Sequence, residues 1–125
     1  MIVADCPATL VQPASLPGAP SGVPWVAASR KLAGVVFGVR SDATVLELPV
    51  GGVWADGRNA KILWWPRARG AGRTLTIRSG TYKLTVRASG GNFPSLVALP
   101  YSGCWRLTVS TGKLRGMVYV NAVTP

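Results

Sequence analysis

The sequence contains no histidine, and only four of its 125 residues are acidic. Without histidine, the Ser-His-Asp and Cys-His nucleophile systems are excluded, as are most metal sites that are built on imidazole. The four carboxylates, Asp5, Asp42, Glu47 and Asp56, do not show the spacing of a catalytic pair, and only the fold could bring two of them together. We therefore expect no catalytic residue, no metal site, no cofactor and no enzymatic activity.

Long apolar runs are also missing from the chain. No run approaches the roughly 18 to 20 residues that a membrane-spanning helix needs, because Gly, Pro or Arg interrupts each one. Residues 1–5 lack the basic and apolar regions of a signal peptide. If the protein is exported, we expect that its signal peptide has been removed.

Residues that interrupt helices are frequent, since the chain contains 15 glycines and 10 prolines. Both residues are costly inside helices, so few stretches could form three uninterrupted helical turns. The segments between the breaks are rich in β-branched and aromatic residues, which favour strands. A length of 125 residues fits one domain, because most domains have about 100 to 150 residues.

Several segments have the pattern of strands. Residues 32–39 form an apolar run, and residues 44–48 and 61–65 are further candidates. Two stretches alternate polar and apolar residues around a glycine turn, and we expect them to be β-hairpins at residues 74–87 and 105–123. About seven such strands predict an antiparallel immunoglobulin-like β-sandwich, with a small closed β-barrel as the alternative. Residues 6–24 contain five prolines and should be an irregular segment that lies along the domain.

The only cysteines are Cys6 and Cys104. An even count favours a disulfide, which would tether the proline-rich segment and would place the protein in an oxidising compartment outside the cytoplasm. Two free buried thiols or a lipid on Cys6 are the alternatives. Asp5 disfavours the lipid, since it stands where a lipobox needs a small residue. On the strand that follows Cys104, we expect Trp105 to face the core with Leu107 and Val109.

Basic residues outnumber acidic ones, 14 to 4, which gives a net charge of +10. After Asp56 there is no acid, whereas eleven Lys and Arg residues follow it. A field of one sign attracts anionic polymers such as acidic glycans, anionic lipid surfaces or nucleic acid. The alternative is that the arginines reflect only the composition of a GC-rich genome.

The adjacent rings of Trp64 and Trp65 point to opposite faces if they lie on a strand. One of them would then be on the surface, either packed beneath a loop or an arginine or forming a platform for a ligand. Binding at such a platform should weaken as salt is raised. The candidate binding surface comprises Trp64, Trp65, Arg58, Lys61, Arg67, Arg69 and Arg73.

An ordered set of motifs resembles bacterial exported, often lipoprotein-like, immunoglobulin-like domains. The set is Cys6-Pro7-Ala8-Thr9, Asp56-Gly57, Lys61, Trp64-Trp65, Leu75-Thr76-Ile77, Phe93-Pro94 and Gly103-Cys104-Trp105. The resemblance implies an extracytoplasmic β-sandwich with a Cys6–Cys104 bridge, and it implies no activity.

Two functions follow as hypotheses. The first is a non-catalytic interaction or structural module of the bacterial cell envelope, secreted, periplasmic or at the cell surface, whose partner is an envelope protein. The second is a basic module that binds an anionic polymer. Clustering of the arginines on one face would favour the second.

Overall fold

The computed structural model describes residues 6–12, 16–18, 22–39 and 43–125. This part of the chain forms nine strands and one 3₁₀ turn at Val50–Gly52. It contains no helix that is long and apolar enough to span a membrane. The strands are β1 (Trp25–Ser29), β2 (Leu32–Phe37), β3 (Glu47–Pro49), β4 (Lys61–Pro66), β5 (Thr74–Ser79), β6 (Tyr82–Arg87), β7 (Phe93–Leu96), β8 (Gly103–Thr111) and β9 (Leu114–Val123).

The strands form two sheets that pack face to face as a β-sandwich. One sheet has four strands in the order β1-β2-β4-β7, and the other has five in the order β3-β9-β8-β5-β6. The predicted all-β sandwich is confirmed. It has nine strands where about seven were expected, since β1 and β7 were not recognised in the sequence. One pair also departs from the antiparallel pattern, because β3 runs parallel to β9.

The predicted hairpins are present, and each has a two-residue loop. β5 and β6 are joined by Gly80 and Thr81, while β8 and β9 are joined by Gly112 and Lys113. In each loop the first residue is a glycine with positive φ, and the second has an ordinary negative φ. This is the pattern of a type II′ turn, which matches the twist of paired strands.

The core lies between the sheets, as alternation along β8 shows. Trp105, Leu107 and Val109 are buried, whereas Arg106 and Thr108 are exposed, so the predicted inward face is confirmed. From the other sheet, Trp64 enters the same core. A strand that alternates in this way buries one face and leaves the other in solvent.

The N-terminal segment passes from one sheet to the other. The Thr9 N–H donates to the Tyr119 carbonyl of β9, and the Gln12 N–H donates to the Trp25 carbonyl of β1, at 2.9 and 2.8 Å. The described parts of residues 6–24 contain isolated β-bridges at Leu10 and Gln12 but no strand. The segment is therefore irregular and lies along the domain, as expected.

The predicted disulfide between Cys6 and Cys104 is present, with the Cα atoms 5.4 Å apart. Cys104 is exposed on the outer face of β8, and Cys6 is half-buried. Trp105, the next residue, faces the opposite side of the sheet. The bridge thus fixes the N-terminal segment to the outside of the five-stranded sheet, whereas the bridge of antibody domains joins the two sheets through the core.

Candidate functional site

Three connecting segments meet at one end of the sandwich, and backbone hydrogen bonds join them. The Arg67 N–H donates to the Lys31 carbonyl in the β1–β2 turn at 2.9 Å. The Lys113 N–H, in the β8–β9 turn, donates to the Gly70 carbonyl at 2.8 Å. Residues 67–73, which connect β4 to β5, therefore lie across this end and touch both turns.

These segments and the strand ends beside them carry eight basic side chains, all of them exposed. Arg87 belongs to this group because it pairs with Thr74 at the start of β5, and Arg115 belongs to it because it is the second residue of β9 after the β8–β9 turn. We call this surface the basic end. Its members are Arg30, Lys31, Arg67, Arg69, Arg73, Arg87, Lys113 and Arg115.

The described acids lie at the other end of the molecule. Glu47 pairs with Asn121 near the end of β9, and Asp56 lies in the loop before β4. The Arg58 side chain donates to Asp56 at 2.7 Å. The pKa of the Asp56 carboxyl is lowered, mainly because the Arg58 backbone N–H donates to it, with the Arg58 side chain adding to the effect. No described acid therefore neutralises the basic end.

Closely packed glycines hold the basic end in place. Gly112 lies so near Gly70 and Gly72 that a Cβ on Gly112 would overlap the Gly70 carbonyl oxygen. The buried Thr111 hydroxyl donates to the Thr74 carbonyl at 2.7 Å and accepts from the Gly72 N–H at 2.9 Å. These contacts determine where the arginines of residues 67–73 are presented.

The structure divides the candidate surface that the sequence predicted. Arg67, Arg69 and Arg73 lie together at the basic end. Arg58 and Lys61 lie at the opposite end, because Lys61 is the first residue of β4 and Arg67 follows its last. The expectation that all five cations share one surface is therefore wrong, since an extended strand of six residues separates the two groups by about 20 Å.

The tryptophan pair also departs from the predicted platform. Trp64 is fully buried, and its Nε1 donates to Ser95 Oγ at 3.0 Å. Because its ring is in the core, Trp64 cannot belong to a binding surface, and this part of the prediction is corrected.

Trp65 points to the opposite face, as expected for the next residue of a strand, and is half-buried there. It belongs to a second apolar cluster with Leu16, which lies in the N-terminal segment. Arg67 does stack on a tryptophan, but on Trp25, with the guanidinium carbon 5.8 Å from the ring centroid. The surface tryptophan is thus packed beneath the N-terminal segment, which is the alternative to the platform.

Five further cations belong to the basic end, although the sequence pattern did not place them in the candidate site. The sequence feature that could have located them is their position along the chain, since most of them lie within or beside the β-turns. Only the pairing of the strands shows that these turns lie at the same end. The five cations are Arg30, Lys31, Arg87, Lys113 and Arg115.

A separate apolar cleft of about 750 Å³ lies between the N-terminal segment and the end of β2. Leu10, Val23, Phe37 and Val39 contribute to its lining, and none of its described lining residues is titratable. In the described residues there is also no cluster of three or more Cys, Asp or Glu side chains that could hold a metal ion.

Fold and surface together define the class of this protein as a disulfide-linked β-sandwich with one strongly basic end. Comparisons with protein-family models, curated proteins and solved structures found no match. The resemblance to exported bacterial immunoglobulin-like domains stays a prediction.

Proposed function

We propose that this protein is a non-catalytic, extracytoplasmic module that binds an anionic polymer at its basic end. The observation that carries the proposal is the gathering of eight exposed cations at one end of the sandwich, with the described acids at the other. A surface of one sign raises the local concentration of polyanions and steers them toward that surface. The Cys6–Cys104 disulfide supports an oxidising compartment.

The hydrogen-bonded loops add to this argument. Flexible lysines and arginines lose side-chain entropy when they bind, and a mobile loop would lose backbone entropy in addition. Backbone bonds at Arg67, Arg73 and Lys113 hold this backbone in place before any ligand arrives. The basic end is therefore preorganised for binding.

The alternative, a module that contacts an envelope protein through an edge strand, has less support. Of the four edge strands, β6 carries Lys83 and Arg87 on its exposed side, β7 contains Pro94, and β3 contains Pro49. The fourth, β1, has none of these residues, but Gln12 of the N-terminal segment already pairs with its first residue, Trp25. Lysine, arginine and proline on edge strands, together with short strands, prevent the addition of a further strand. Contact with a protein through the loops remains as the second candidate.

The test is to titrate the protein with heparin, polygalacturonate, polyphosphate and single-stranded DNA at about 50 and about 200 mM salt, where a large change in affinity is expected. The double variant R69A/R73A should bind more weakly. For this variant, a plot of log K against the logarithm of the salt concentration should have a slope that is smaller in magnitude by roughly 1 to 2. Each lost charge contact reduces that slope by about 0.7 to 0.9. Arg67 is not replaced in this variant, because its guanidinium packs over the Trp25 ring and its loss could alter the structure.

The matched control is R58A/K61A, which removes the same charge from the opposite end. It should retain most of the affinity and the salt slope. If no polyanion binds at the lower salt, or if both double variants lose affinity equally, the proposal is wrong. Binding to an envelope protein without any salt dependence would support the second candidate.

A further inference from the structure

The outer face of the five-stranded sheet carries a second group of cations, next to the basic end. Arg106, Arg78 and Lys83 point outward from β8, β5 and β6 and are exposed. Arg87 and Arg115 lie on the same face and also belong to the basic end. A continuous positive surface therefore runs from the end of the sandwich onto the flat side of this sheet.

Strand register places hydroxyl groups beside these cations. Arg78 lies between Thr108 on β8 and Lys83 on β6, and in the next row Thr76 lies between Ser110 and Thr85. Directly opposed residues are about 5 Å apart and diagonal ones about 7 to 8 Å. The face thus places charged donors next to hydroxyls that can both donate and accept.

Exposed aromatic rings are scarce on this face. Trp105 of β8 is buried on the other side of the sheet. Tyr119 of β9 is partly covered and lies at the margin of the cation group. Proteins that bind single-stranded nucleic acid commonly stack the bases on exposed aromatic side chains. This surface offers charge and hydrogen bonds in place of stacking.

We propose that the polymer is an anionic polysaccharide that extends from the basic end across the outer face of the five-stranded sheet, an inference that rests on the proposed function. Arginine and lysine contact its carboxylate, sulfate or phosphate groups. Thr85, Thr108 and their neighbours hydrogen-bond to its hydroxyls. The exposed side of β8, β5 and β6 is the specificity surface, and the basic end supplies most of the charge.

Two double variants test whether the polymer crosses the outer face of the five-stranded sheet and whether it is a polysaccharide. R78Q/R106Q removes charge from the face, and it should weaken heparin, polygalacturonate and polyphosphate binding. T85V/T108V removes two exposed hydroxyls without changing the charge or the preference for strand. We expect about 5-fold weaker binding of the two glycans per lost hydrogen bond. The loss for polyphosphate should be smaller, because its oxygens can accept from a threonine hydroxyl but it has no hydroxyl that could donate to one.

T44V is the control, since Thr44 is exposed but lies outside this sheet. Circular dichroism and thermal unfolding establish that each variant is folded. If the face variants bind like the original protein while R69A/R73A is impaired, the path across the sheet is wrong and the proposed function stands. If T85V/T108V leaves glycan binding unchanged, or if single-stranded DNA binds more tightly than either glycan, the proposal that the ligand is a polysaccharide is wrong. If no polyanion binds at all, the proposed function itself fails.

Discussion

At the scale of single residues, the tryptophans show how the core is anchored. Trp64 Nε1 donates to Ser95 Oγ, and Ser95 in turn donates to the Ile62 carbonyl at 2.8 Å. Trp105 Nε1 donates to the Tyr101 carbonyl at 3.0 Å. A buried indole N–H without an acceptor would be destabilising, so these bonds allow two large rings to lie inside the sandwich.

Trp105 also makes ring contacts that fix its position. Its ring centroid lies 4.6 Å from that of Tyr101 and 6.3 Å from that of Tyr82, the latter in an edge-to-face arrangement. Burial raises the pKa of the Tyr82 phenol, although a hydrogen bond with the Ala98 backbone acts in the opposite direction. Burial thus favours the neutral form of Tyr82 where it meets the core.

We expect Trp105→Ala to lower the free energy of unfolding by about 3 to 5 kcal/mol, because it leaves a large cavity between the sheets. Urea denaturation followed by circular dichroism measures this loss. Thr108→Ala, on the exposed face of the same strand, is the control and should change stability by no more than about 0.5 kcal/mol. A loss below about 1 kcal/mol for Trp105→Ala would show that the ring is not a core residue.

At the scale of elements, the two hairpin loops have the same conformation but different surroundings. Gly80 has φ of 57° and Gly112 has φ of 56°. A Cβ on Gly80 would meet nothing within 4 Å, whereas a Cβ on Gly112 would collide with Gly70 and Gly72. The β8–β9 turn is therefore a packing element of the basic end, and the β5–β6 turn is a free loop.

This difference predicts unequal effects of the same substitution. Gly80→Ala should cost about 1 to 3 kcal/mol, since its only penalty is the positive φ that a type II′ turn requires at this position. Gly112→Ala adds the overlap with residues 70–72 to that penalty, so it should cost more. It should also shift the amide resonances of residues 67–73. Equal losses in urea denaturation and unchanged resonances would contradict the close packing at this junction.

At the scale of the whole molecule, one covalent bond joins the N-terminal segment to the penultimate strand, β8. Cys6 and Cys104 are separated by 98 residues. Closing a loop of this length restricts the unfolded chain and should stabilise the fold by up to about 4.7 kcal/mol in the chain-entropy model. The N-terminal segment that Cys6 anchors also covers the second apolar cluster through Leu16.

The replacement of both cysteines by alanine should therefore lower the unfolding free energy by several kcal/mol, up to about 4.7. Because no unpaired thiol is introduced, the effect reports the loss of the bridge alone. Denaturant unfolding compares the two proteins. Thiol titration of the denatured, unreduced protein is the independent check, since the detection of two free thiols would rule out the bridge.

Most of the local structure of this protein could be predicted from its sequence. Alternation of polar and apolar residues depends only on neighbours along the strand, so both hairpins and the inward face of Trp105 could be predicted. Proline content identified the irregular segment, and the cysteine count identified the bridge. β1 and β7 are the exceptions, because the sequence pattern did not predict them as strands, and β7 even contains Pro94.

Contacts between distant segments, by contrast, depend on how the strands pair and how the sheets pack. Arg67 and Lys61 are closer in sequence than Arg67 and Lys113, but an extended strand separates the first pair, whereas the β4–β5 connection brings the second pair to one end. In the same way, adjacency predicts that Trp64 and Trp65 face opposite sides but not which of them is inside. Both outcomes depend on how the two sheets pack over a shared core, which no local pattern along the chain encodes.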